Sequence, residues 1–111
     1  MTNAPAKISL EDCAKEVAQA PKPYLVFLEC GDAVVELFAP RGPDTQGPHD
    51  RDELYIVTSG NGVLTRNRKE IPFVNGDVLF VPAHMPHRFT AFSDDFSTWV
   101  IFFGPVGGAK A

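Results

Sequence analysis

The chain has 111 residues, nine of them Phe, is 44% hydrophobic and carries a net charge of −4. That is one domain with one modest core, which excludes a disordered chain. Arg66, Arg68 and Lys69 cluster only locally, no apolar run approaches ~18 residues, and Cys13 and Cys30 are the only cysteines, so neither nucleic acid, a membrane nor a disulfide framework is expected.

Ten Pro and nine Gly are spread along the chain and signal many turns, hence many short elements and an all-β domain. The N-terminus has no apolar leader, so a cytoplasmic setting is the default expectation.

Residues 1–7 show no periodicity and are expected to be mobile. Ser9 then reads as a helix N-cap, with Glu11 and Asp12 in the first turn. Leu10, Cys13, Ala14, Val17 and Ala18 share one helical face, and Pro21 and Pro23 stop the helix. Residues 1–23 are therefore an N-terminal tail with one short helix lying against a main body, with Cys13 packed rather than reactive.

Strand character begins at Tyr24 and runs to Cys30. Gly31-Asp32 is a two-residue turn, and Ala33–Ala39 returns. The stretch 40–48 carries three Pro and two Gly, which rules out a central ladder strand and suggests a functional loop. Further strands are expected at Asp52–Ser59, Val63–Arg66, Ile71–Val74, Asp77–Val81, His87–Phe92 and Phe96–Phe103. Between them lie a turn at Gly60, the polar tip with Arg66, Arg68 and Lys69, a hairpin at Asn75-Gly76, a loop from Pro82 to Pro86, and a turn at Ser93 to Asp95. About eight short strands at regular spacing predict a small barrel or two-sheet sandwich over 24–104, with 105–111 as a flexible tail.

The chemistry concentrates where the loop becomes a strand. His49 and Glu53 lie four residues apart, and His87 follows a second loop. Two imidazoles and one carboxylate can hold a divalent ion with open positions; the set suits Fe, and Mn, Ni, Zn or Co can also bind. Four extended residues span ~13 Å, whereas each metal bond is ~2.0–2.2 Å, so the chain must curl at His49, where Gly47-Pro48 allows it. If Glu53 points inward, so do Tyr55 and Val57, while Leu54, Ile56 and Thr58 face out and need cover. If His87 points inward, so does Phe89, and Tyr55, Val57 and Phe89 are then expected on the pocket wall. Trp99 is a further candidate for the pocket wall, and Asp52, on the other face, is expected in a salt bridge.

The order of these segments resembles the cupin superfamily. His49, Glu53 and Gly60 match the second histidine, the glutamate and the closing glycine of its first motif; Gly76, Pro82 and His87 match its second. The resemblance covers roughly residues 35–104 and implies a single jelly-roll barrel with His49, Glu53 and His87 as metal ligands. Two positions depart from the pattern. The leading histidine of the first motif falls on Gly47, and a usual glycine of the second is His84. Gln46 lies beside the missing ligand and can fill it weakly or orient a water; His84 is read as supporting the site or exposed.

Two functions follow as expectations. One is a metal-dependent oxygenase or isomerase acting on a small organic molecule. The other is a non-catalytic barrel that binds or senses a small molecule or metal. A homodimer is expected, because Leu54 and Ile56 need cover.

Overall fold

The computed structural model describes residues 4–109; expectations for residues 1–3 and 110–111 lie outside them. Helix α1 spans Leu10–Gln19. Ser9 caps it, its hydroxyl accepting from the Asp12 amide at 3.3 Å. At the other end Arg41 donates to the carbonyls of Val17 and Ala20, and the Val17 carbonyl also accepts from the Ala20 amide at 3.1 Å. Only Cys13 and Val17 of the expected apolar face are buried.

Eight strands follow: β1 (Tyr24–Cys30), β2 (Ala33–Phe38), β3 (Asp52–Ser59), β4 (Asn61–Arg66), β5 (Lys69–Val74), β6 (Val78–Val81), β7 (His87–Phe92) and β8 (Ser97–Phe103). They form two antiparallel sheets, in the orders β1-β2-β8-β3-β6 and β5-β4-β7. The sheets are separate ladders, so the architecture is a jelly roll of two facing sheets rather than a ring closed by hydrogen bonds.

Asn75-Gly76 is not a hairpin. β5 belongs to the three-stranded sheet and β6 to the five-stranded one, so this turn carries the chain from sheet to sheet. Gly60 does the same between β3 and β4. Its φ is +81°, and a Cβ there would stand 2.8 Å from Cα of Phe96, so only glycine fits without displacement.

Strand alternation sets the core. Glu53, Tyr55 and Val57 of β3 are buried as expected, and Tyr55, Val57, Leu64, Phe73, Phe89 and Phe96 fill the space between the sheets. A second, smaller cluster lies under the helix, where Cys13 and Val17 cover Leu37. Trp99 joins this cluster. Its register partner is Leu37, and the neighbouring inward positions of β8 are Thr98 and Val100. The expectation that Trp99 lines the pocket is therefore corrected: parity puts it on the helix side.

Two further expectations are corrected. Asp52 makes no ion pair among the described residues. It is 5% exposed and accepts from the amides of Ala83 at 2.9 Å and Ala109 at 3.0 Å. Those two amides hold its carboxyl below the usual carboxylate range. The segment after β8 is likewise tied down as far as Ala109, with the Gly107 amide also donating to the Asp50 carbonyl at 2.6 Å.

Candidate metal centre

Three elements bring the site together. β3 supplies Glu53 and β7 supplies His87 as its first residue, one from each sheet. The loop before β3 supplies His49. His84 adopts a φ of +68° and its amide donates to the His49 carbonyl at 2.7 Å, which fastens the loop before β7 to the loop before β3. The His84 side chain itself is exposed. The left-handed backbone at this position accounts for a glycine preference there, and the contribution of His84 is its main chain.

One donor atom each from His49, Glu53 and His87 lies within 4.8 Å of the other two. Glu53 Oε1 is 2.8 Å from His87 Nε2 and 3.9 Å from His49 Nε2. Both Glu53 oxygens and His87 Nε2 are buried, and none completes an aligned hydrogen bond. His87 Nδ1 is 2.9 Å from the Met85 carbonyl, which can only accept, so Nδ1 carries a hydrogen. That leaves Nε2 as the free donor atom. Two imidazole nitrogens and a carboxylate oxygen, close together with Glu53 and His87 buried and His49 half-buried, fit a divalent ion of the first transition row.

Electrostatics follow from burial and from Glu53. Burial alone would push the His87 imidazole down; Glu53 and the Met85 carbonyl outweigh it and hold it above its usual value. Burial, then the Glu53 charge, holds the Tyr55 phenol well above its usual value. The Tyr55 hydroxyl is also buried without an aligned partner.

A cavity of about 590 Å³ reaches this centre, with Gln46, His49, Glu53 and Tyr55 on its wall. Val57 and Phe89 do not line it. They pack in the core, Phe89 edge-on to Tyr55 with ring centroids 4.9 Å apart. His87 has a fully buried side chain and is also off the cavity wall.

Glu36 lines the same cavity and escapes a reading of motifs. It sits opposite Val100, which sits opposite Tyr55, so the three share one row across β2, β8 and β3. Burial, and then the charge of Glu53, pushes the Glu36 carboxyl up to about 7, with Lys22 pulling the other way. The available signal is one acid in the apolar strand Val34-Val35-Glu36-Leu37-Phe38. A charge at the inward position of such a strand belongs to a site more often than to a core.

The cupin domain model matches residues 34–103, and the chain belongs to this family. An uncharacterized protein of Streptomyces coelicolor is 34% identical over 98 residues, covering 86% of this chain and 93% of its own. The structure is similar to a cupin-2 domain containing protein from Shewanella frigidimarina, with a TM-score of 0.68 and 21% identity over 85% of this chain and 91% of that one. It is also similar to the Fe(II) form of HppE, with a TM-score of 0.57 and 22% identity over 72% of this chain and 50% of that one.

Proposed function

We propose that this protein is a metal-dependent enzyme acting on a small polar organic molecule, with His49, Glu53 and His87 as the metal ligands. The observation that carries this reading is the convergence of their donor atoms within 4.8 Å at a cavity of about 590 Å³. A barrel of this fold also carries Fe(II) in HppE. A bound divalent ion would supply Lewis acidity or, as iron, an oxygen-binding position.

The chain's own groups then divide the work. Arg51, tethered through Nη1 to the Asp32 carbonyl at 2.8 Å, is the one Lys or Arg among the described residues on the cavity wall, and gives a polar handle for the substrate. Glu36 holds or accepts a proton near neutral pH, where a general acid or base is most effective. Tyr55 positions the substrate through its buried hydroxyl. Of the oxygenase and isomerase chemistries, Glu36 favours proton transfer and hence isomerisation.

The same reading includes self-association. On the outer face of the larger sheet, Leu54 lies opposite Phe80 and Ile56 opposite Val78. Phe80 is 43% and Val78 60% exposed, which leaves an apolar strip for a second copy of this chain.

Metal analysis of protein purified without chelators is the first test. Glu53→Ala and His87→Ala should each remove the metal; full occupancy in both variants rejects the ligand set. Oxygen uptake with catechols, thiols and keto acids then tests oxygenation, and proton exchange of keto acids in D₂O tests proton transfer. Glu36→Gln should lower turnover by roughly 100-fold with metal content unchanged. Tight binding of these compounds without turnover would assign the barrel to binding alone.

A further inference from the structure

The leading histidine position of the first motif is Gly47, which offers no donor, while Gln46 stands beside it with an oriented amide. Asp44 sets that orientation. Its Oδ1 accepts from the Gln46 main-chain amide at 3.1 Å, and its Oδ2 accepts from Gln46 Nε2 at 2.7 Å. Oδ2 also accepts from the Phe89 amide at 2.9 Å, which ties Asp44 to β7 beside His87. A carboxylate can only accept, so the amide nitrogen must face Asp44. The oxygen of the same amide is thereby turned the other way. It lies 3.1 Å from Nε2 of His49, the atom of that ring that also faces Glu53.

The spacing matches that of adjacent ligands. Bonds of ~2.1 Å at right angles place two donors ~3.0 Å apart. Gln46 Oε1 and His49 Nε2 are 3.1 Å apart, and Glu53 Oε1 and His87 Nε2 are 2.8 Å apart. Gln46 also lines the cavity with His49 and Glu53.

We propose that Gln46 Oε1 is a fourth protein ligand of the metal, and that Asp44 is a positioning residue that keeps the oxygen rather than the nitrogen of that amide toward the ion. The missing imidazole is replaced one residue upstream by a neutral oxygen. The resulting set of two nitrogens and two oxygens is harder than three imidazoles and a carboxylate, and shifts preference toward Fe(II), Mn(II) and Co(II) over softer ions. The hydrogen on His49 Nε2 that donates to Gln46 is exchanged for one on Nδ1 when the metal enters, so the ring stays neutral and Nε2 presents its lone pair.

This inference rests on the three-ligand reading, and the test separates the two. The full chain is titrated with Co(II), following its visible bands and measuring affinity by chelator competition. His87→Ala is the control for the site as a whole. Gln46→Leu should weaken Co(II) by roughly tenfold or more and change the band pattern, because one oxygen donor is lost. Asp44→Ala should give the same altered spectrum, and the double variant should bind no more weakly than Gln46→Leu, since Asp44 acts through Gln46. Thermal melting checks that Asp44→Ala still folds; Gln46→Leu decides the question without it. If Gln46→Leu binds Co(II) with wild-type affinity and spectrum while His87→Ala does not, Gln46 is no ligand and only this inference falls. If the wild type binds no metal, both readings fall together.

Discussion

Nε2 of His87 stands 2.8 Å from Oε1 of Glu53, and neither atom completes an aligned hydrogen bond. Groups that address a common third point, rather than each other, have this arrangement. The pair also predicts how the site titrates. In chelator-treated protein the His87 imidazole should titrate above 6.5, because burial is outweighed by Glu53, the Met85 carbonyl and Asp44 together. A raised histidine value means that its contribution to stability is complete below 6.5 and is lost as pH rises through the folded-state value. Glu53→Gln should lower the value, since burial is then opposed only by the Met85 carbonyl and the Asp44 charge. Imidazole ¹⁵N shifts against pH measure this, and a wild-type value at or below 6.5 would contradict it. Metal affinity runs the other way and weakens as pH falls, because protons compete for the same nitrogens.

Glu36 should titrate near 7 rather than near 4.5. Its raised value means the neutral form suits the fold, so stability is lost as pH rises from 4.5 toward 7. The shift alone converts to roughly 3 kcal/mol at pH 8, and solvent screening of this half-buried carboxyl brings the penalty well below that. Glu36→Gln should therefore raise the melting temperature at pH 8 and leave it nearly unchanged at pH 4. Equal effects at both pH values would show that the carboxyl is well solvated.

Gly47 can be converted into the missing histidine. Its backbone is outside the left-handed region, and nothing lies within 4 Å of where a Cβ would stand. Gly47→His should fold normally and bind Co(II) about tenfold more tightly or better. It should also restore affinity to Gln46→Leu, which lacks the amide oxygen. A well-folded Gly47→His with unchanged affinity in both backgrounds would mean that this position does not face the ion.

The two motif glycines at the sheet crossovers should differ sharply. Gly60→Ala combines a φ of +81° with a Cβ 2.8 Å from Cα of Phe96, and should cost on the order of 3 kcal/mol. Gly76→Ala has a φ of +94° and open space around it, and should cost about 1 kcal/mol. Urea unfolding of both variants measures the difference; equal losses would show that the contact with Phe96 relaxes freely.

Self-association predicts a concentration-dependent mass in sedimentation experiments. Phe80→Lys should lower it toward that of one chain while leaving metal content intact, since Phe80 faces away from the site. A monomeric wild-type mass at all concentrations would exclude the dimer.

Much of this arrangement is written in the chain. The alternation in Glu53-Leu54-Tyr55-Ile56-Val57 decides which residues enter the core, and the spacing of His49, Glu53 and His87 marks the candidate metal centre. Other parts depend on distant partners. Asn75-Gly76 says that the chain turns, not which sheet receives the next strand. Trp99 lies in a strand apolar on both faces, so its side is settled only by α1, which covers Leu37. Asp52 reads as half of a salt bridge because its partners are main-chain amides of Ala83 and Ala109, which carry no side-chain signature. Glu36 acquires its altered acidity from burial and then from the charge of Glu53, both brought about by folding rather than by adjacency in the chain.

The Asp52 carboxylate has a practical corollary. It buckles Ala83 and Ala109 to the strand that carries Glu53, so tension applied at the carboxyl end reaches a proposed metal ligand one peptide away. A purification handle or fluorescent fusion belongs at the amino end, ahead of α1. Placed at the other end, it would loosen the rim and make a competent site look empty.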